Sequence, residues 1–117
     1  MRPLGITNGR IGQLLTVTCE RLQLGSPSTL AVVSNAITIS KSFHKITSAV
    51  NVNVNNINGG QQSDILVLMS TGVAIITLKD GVGNLALAGD CKLDGGPDTV
   101  ILLFDNSLWV ELCRSNN

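Results

Sequence analysis

The chain has 117 residues, enough for one domain and too few for two. An apolar fraction of 44% argues against disorder, while a charged fraction of 14% leaves much of the surface neutral. Eight basic residues balance eight acidic ones, so no field exists to hold a nucleic-acid backbone or an anionic membrane face, and neither is expected as a partner.

Along the chain, apolar residues recur at a spacing of two and are interrupted by Gly, Asn, Asp or Ser every eight to twelve residues. The pattern predicts strands at 14–19, 30–33, 36–40, 44–47, 50–55, 65–69, 74–78, 85–88, 99–104 and 108–112, with shorter pieces at 21–24 and 91–93. Almost nothing reads as helix. Asn58-Gly59-Gly60, Lys79-Asp80-Gly81 and Asp94-Gly95-Gly96-Pro97 supply turn residues that tolerate positive φ, and Asp105-Asn106 sits where a two-residue hairpin turn belongs. The expected fold is therefore all-β, a single compact sandwich, barrel or prism of about 10–12 short strands. Residues 1–117 form one domain in this reading. Residues 6–17 lie without gaps over 57–68, suggesting two β units, 6–56 and 57–117.

Two strands point to another chain as partner. In Val50-Asn51-Val52-Asn53-Val54-Asn55 the valines take one face, and Asn51, Asn53 and Asn55 the other. Asn is a poor strand former, so the row is either a solvated edge face or an amide ladder meeting its equivalent across a symmetry axis. Ile65-Leu66-Val67-Leu68-Met69 is apolar on both faces, so Ile65, Val67 and Met69 require cover from a second sheet or a neighbouring subunit. The six residues together make a candidate oligomer interface.

The chemical inventory is sparse. Cys19, Cys91 and Cys113 form no CxxC pair, and His44 is the only histidine, so a structural zinc site lacks its ligands. No GxSxG or cysteine-centred nucleophile signature is present, and a packed or surface-bonded His44 is expected. Asp90, Asp94 and Asp98 recur every four residues and could surround a hard cation. Gly95-Gly96-Pro97 interrupts them without the alternating oxygen ligands of a calcium loop, which favours turn-stabilising roles. Gly81-Val82-Gly83 is followed by neither Lys-Ser/Thr nor a helix, so no nucleotide or other cofactor is expected. Trp109 is either an exposed receptor-contacting ring or, as favoured here, an apolar plug pairing with Phe104 across the 105–106 turn. The opening Met1-Arg2-Pro3-Leu4-Gly5 has no apolar core of a secretory signal, and the run 65–69 is too short for a membrane helix. A soluble protein made in a reducing cytoplasm, with packed thiols, is the expectation.

The second half carries a resemblance. Ile57-Asn58-Gly59-Gly60, Asp64-Ile65-Leu66-Val67-Leu68, Thr77-Leu78-Lys79-Asp80-Gly81, Gly83-Asn84-Leu85, Leu87-Ala88-Gly89-Asp90, Asp98-Thr99 and the terminal Trp109-Val110-Glu111-Leu112-Cys113-Arg114-Ser115-Asn116 resemble a small β module of bacteriophage and prophage virion proteins, one that often ends tail-fibre-like chains. With Asn35-Ala36-Ile37-Thr38-Ile39 to Phe43-His44, which resembles the strand pair preceding that module, the likeness spans roughly 29–117. It implies a non-enzymatic homotrimer on the virion surface, made in the host cytoplasm. Two roles follow as expectations: a capsid decoration or cement protein that bridges capsomers by contacting the major capsid protein or another virion protein, or a tail-fibre or receptor-binding tip. A small hydrolase stands as the contrasting class. A β unit that begins within a dozen residues favours the first role. Met1, Arg2, Pro3, Leu4 and Ile6, in a segment broken by Gly5, Gly9 and Gly12, are then the candidate capsid contacts, unless they form the first strand of the fold.

Overall fold

A computed structural model describes residues 18–117, which form eleven strands and no helix. Alternation in the sequence becomes alternation of burial. In β3 (Phe43–Thr47) His44 and Ile46 point inward, and in β6 (Ile65–Ser70) Leu66, Leu68 and Ser70 do so. The chain travels in coils around one core. The first coil holds β1 (Ser28–Ala31) and β2 (Ala36–Thr38), the second β3, β4 (Val52–Val54) and β5 (Asn56–Asn58), and the third β6, β7 (Ile75–Leu78) and β8 (Leu85–Ala86). The chain then reverses through β9 (Cys91–Asp94), β10 (Thr99–Asp105) and β11 (Leu108–Ser115).

Pairing between coils is parallel: β1 with β3, β3 with β6, β2 with β5 and β4 with β7. Ser28 sits over His44 and Phe43 over Val67, separations of 16 and 24 residues. Closure uses the opposite direction, β10 running antiparallel to β6 and β9 antiparallel to β7. β11 pairs antiparallel with β10 and parallel with β8, which completes a six-stranded sheet, β1-β3-β6-β10-β11-β8. A two-stranded sheet (β2-β5) and a three-stranded sheet (β4-β7-β9) form the other sides.

The all-β expectation holds, but the arrangement is solenoid-like, with three sheets around one core, and is neither a two-layer sandwich nor a closed barrel. Period-two alternation reports which side chains face inward; it does not report which strand lies alongside. Most of the glycine turns are corners that steer the chain to the next sheet, not hairpins. Gly59 (φ 97°) and Gly81 (φ 72°) adopt the left-handed conformation at such corners. The tight reversals among the described residues are Ser34-Asn35, which brings Val33 and Ala36 together, and Asn106-Ser107, one residue beyond the expected position. The expected strand 50–55 breaks at Asn55, whose N–H donates to Asn35 O at 2.8 Å, and the chain continues as β5, which the pattern did not separate. Residues 21–24 form no strand. Residues 14–17, and the first copy of the 6–17 repeat, lie outside the described residues.

The core runs through His44, Leu68 and Val100 at one level and Leu66 and Leu102 at the next, with Ile46 beside Ser70, and is closed by Leu78, Leu93, Ile57 and Trp109. Trp109 is fully buried and its ring lies 4.9 Å from that of Phe104 at 59°, as the plug reading requires. Its Nε1–H donates to Ile57 O at 3.1 Å, so the indole closes the core and satisfies a carbonyl at once. Asn84 acts as a surrogate strand against β5: its Oδ1 accepts from Ile57 N (2.9 Å) and its Nδ2 donates to Ile57 O (2.8 Å). Gly60 lies directly under the aromatic pair, where an added Cβ would stand 2.7 Å from Trp109 and 2.8 Å from Phe104.

Gly60→Ala should therefore lower the urea midpoint, costing about 1–3 kcal/mol through overpacking. Leu68→Ala, at a fully buried site, should cost about 2–5 kcal/mol. Val73→Ala, at a residue 95% exposed, should stay within about 0.5 kcal/mol of wild type.

Candidate assembly surface

The outer face of the six-stranded sheet carries an apolar patch across β3, β6, β10 and β11, bordered by Lys45, Thr29 and Thr99. Register places Phe43, Val67, Ile101 and Cys113 in one row across β3, β6, β10 and β11, with Ile65, Leu103 and Val110 in the next. Met69 extends the patch on one side, and Leu108 on the other. Ile65, Val110 and Leu108 are exposed, as is Leu112 at the β-bulge of β11. Scattered apolar residues on a surface are ordinary, whereas adjacent rows on a flat sheet mark an interaction surface. Ile65, Val67 and Met69 thus share one outer face as anticipated, and the structure brings Phe43, Ile101, Leu103 and Val110 beside them. The signal for the latter was present in Val100-Ile101-Leu102-Leu103-Phe104, which is as apolar on both faces as 65–69.

Asn51, Asn53 and Asn55 lie elsewhere. Asn53 is on the outer face of the three-stranded sheet, in a row with Thr77 and Lys92. Asn51 Oδ1 accepts from Ile75 N at 2.9 Å, which ties the entrance of β4 to β7. Asn55 turns the corner between β4 and β5. Asn51 and Asn53 therefore stay together beside the three-stranded sheet, and Asn55 leaves the row at the corner. Asn35, Asn51, Asn53, Thr77 and Lys92 border an open polar depression of about 450 Å³, on a different sheet from the apolar patch. Met1, Arg2, Pro3, Leu4 and Ile6 lie outside the described residues.

Residues singled out for chemistry are committed to the scaffold. His44 is fully buried: its Nε2 accepts from the N–H groups of Ser40 (3.0 Å) and Lys41 (3.1 Å), and its Nδ1 faces Ser28 O at 3.1 Å. This geometry places the proton on Nδ1 and makes the imidazole a clamp between β1 and the 40–41 turn. Asp90, Asp94 and Asp98 do not converge. Asp90 pairs with Lys79 and accepts from Asp80 N, Asp94 is exposed, and buried Asp98 accepts from Asp94 N (2.8 Å) and Asn117 N (2.7 Å). A cleft of about 340 Å³ lies between the 39–42 and 59–64 corners. Its two charged groups are also occupied: Lys41 Nζ donates to Ser26 O and Asp64 accepts from Gln61 N.

Charge clusters instead around the closing strands. The Arg114 guanidinium holds the Glu111 carboxyl below its usual range, helped by the Ala88 N–H, and Glu111 in turn raises Arg114. Arg114 also donates to the carbonyls of Ala88, Gly89 and Asp90, fastening the 88–90 loop to β11. Lys79 and the Asp80 N–H likewise lower Asp90. Burial pushes the Cys91 thiol up, while Cys19 and Cys113 are exposed, and all three are free.

Comparison of the chain with protein-family models, with curated proteins and with solved structures finds no match.

Two outcomes follow from this electrostatic arrangement. Glu111 and Asp90 are lowered in the folded state, so their contribution is present above the ordinary carboxylate range and is lost as pH falls through the lowered values, below roughly pH 4. Urea midpoints measured from pH 7 to pH 3 should be flat and then fall, and Glu111→Gln should remove part of that fall. Alkylation of native protein followed by mass mapping should label Cys19 and Cys113 quickly and Cys91 only on unfolding.

Proposed function

We propose that the chain is a non-enzymatic structural protein of a bacteriophage particle: a homotrimer that decorates the capsid surface and bridges capsomers, with the major capsid protein or another virion protein as its partner. The observation that carries the reading is the double row of apolar side chains on the outer face of β6, β10 and β11, a surface suited to burial against other copies of the chain. Support also comes from the commitment of His44, Asp98, Lys41 and Asp64 to backbone groups, and from the sequence resemblance over 29–117. Such a protein strengthens a shell by adding buried area between subunits, without a chemical step.

A second reading, a tail-fibre or receptor-binding tip, is favoured by one specific observation. The third coil is closed by the reversed strands β9, β10 and β11, whereas among the described residues β1 and β2 end the other side of the stack without a further partner. A solenoid closed at its C-terminal end suits the end of a shaft.

Native mass spectrometry at micromolar concentration should show a trimer, and Ile65→Asp with Val110→Asp should convert it to a folded monomer, because both residues are exposed in the single chain. A stable wild-type monomer would reject the assembly. Gold-labelled protein viewed on particles by electron microscopy should decorate the shell. Label confined to the tail tip would select the second reading, and its absence from particles would reject both.

A further inference from the structure

The asparagine row has no part in the apolar sheet face. Asn53 lies within β4 and Asn51 at its entrance, positions where asparagine is a poor strand former, and with Asn35 they border the open depression on the three-stranded sheet. Two of these amides are fixed by the backbone. Asn51 Oδ1 accepts from Ile75 N at 2.9 Å, which leaves its Nδ2 hydrogens as donors; Asn35 Nδ2 donates to Asn53 O at 3.0 Å, which leaves its Oδ1 as an acceptor. Asn53, Thr77 and Lys92 stand side by side on β4, β7 and β9, and no carboxylate among the described residues lines the depression. Asp94 lies one row away, opposite Ile75. The ion pairs among the described residues join Lys79 to Asp90 and Arg114 to Glu111, so the charge of Lys92 is uncommitted.

We propose that this depression binds an acidic segment of a partner protein: one Asp or Glu side chain together with the backbone that carries it. Lys92, with the Asn53 amide and the Thr77 hydroxyl beside it, takes the carboxylate, while Asn51 donates to a peptide carbonyl and Asn35 accepts from a peptide N–H. Because those two amides are already held, binding does not have to order them. Other occupants fit less well. A phosphodiester chain calls for a run of cations, and Lys92 is the one cation that lines the depression. A sugar ring packs best on an aromatic face, but Trp109 and Phe104 pack on each other and Phe43 is on the six-stranded sheet. The chain's own residues 1–17 carry Arg2 and Arg10 and no carboxylate side chain. A second copy has little to offer, since Asp64, Asp80, Asp90, Asp98, Asp105 and Glu111 already accept hydrogen bonds within the chain, leaving Glu20 and Asp94. The site is on a different sheet from the apolar patch and stands whether or not that patch drives assembly.

Isotope-labelled full-length protein is titrated with an end-blocked Gly-Asp-Gly peptide, and the side-chain amides of Asn35, Asn51 and Asn53 and the backbone amides of Thr77 and Lys92 are followed by NMR. Saturable shifts of these signals are expected, with binding tighter by about tenfold or more than that of the matched Gly-Asn-Gly peptide, as one charge-assisted contact implies. Lys92→Gln should abolish that preference and leave the weaker binding of the uncharged peptide unchanged, which a merely structural effect would not do. Equal affinity for the two peptides, or no saturable shift at these residues, would overturn the proposal. Tighter binding of glucuronate than of the acidic peptide would replace it with a saccharide site, and inorganic phosphate matching the acidic peptide would leave an adventitious ion only. Shifts of the same signals on raising protein concentration without peptide, lost in Glu20→Gln or Asp94→Asn, would make a second copy the occupant and overturn it as well.

Discussion

Every strand in a stack of coils depends on the coil next to it for its backbone hydrogen bonds, and this requirement governs the rest of the structure. Within the stack it is met by parallel pairing, with the inner side chains of successive coils lying over one another, His44 with Leu68 and Ile46 with Ser70. A stack has ends, and the chain itself closes the one after the third coil. After the third coil it reverses, lays β10 against β6 and β9 against β7, and folds β11 back to reach β8. Trp109 closes the core there, its Nε1–H donating to Ile57 O, and the Asn84 side chain hydrogen-bonds both the N–H and the carbonyl of Ile57. The electrostatic cluster of Glu111, Arg114 and the 88–90 loop carbonyls belongs to the same closure.

The same geometry explains why this fold produces a surface before it produces a site. Inner faces converge on one core, so buried polar residues such as His44, Ser70 and Asp98 are consumed by turns and corners that keep the coils in register. Outer faces diverge, which spreads the remaining side chains into flat sheets. Where such a face is polar, as around Asn53, Thr77 and Lys92, water satisfies it. Where it is apolar, as around Val67, Ile101 and Leu103, exposure is costly and another surface is called for. The proposed assembly role rests on this difference between two faces of one molecule.

Much of the strand content was legible in the sequence because period-two alternation records inward and outward directly. In 65–69, Leu66 and Leu68 are buried while Ile65, Val67 and Met69 face outward, the set singled out as needing cover. The packing of Trp109 against Phe104 was legible as a contact but not as a register: a two-residue reversal at 105–106 would set Phe104 opposite Ser107, whereas the reversal at Asn106-Ser107 sets it opposite Trp109. Strand partnership was not. Gly59 and Gly81 have the composition of hairpin turns, and nothing local distinguishes a hairpin from a corner that sends the chain to a different sheet. The asparagine row shows the same limit. Asn51, Asn53 and Asn55 alternate perfectly with valine, yet a corner at Asn55 ends the strand, and Asn51 Oδ1 is taken up by Ile75 N. The apolar outer face was half legible: 65–69 revealed it, and the identical pattern in 99–104 was not joined to it because their antiparallel adjacency is a tertiary fact.

The central claim is that the outer face of β6, β10 and β11 is buried when the protein assembles. Hydroxyl-radical footprinting read by mass spectrometry, comparing assembled protein with the Ile65→Asp and Val110→Asp monomer, tests it most directly. The account predicts strong protection of Val67, Met69, Ile101 and Leu103 in the assembly, with Val50 and Val73 equally reactive in both. Equal reactivity of the four sheet residues in assembled and monomeric protein would contradict it.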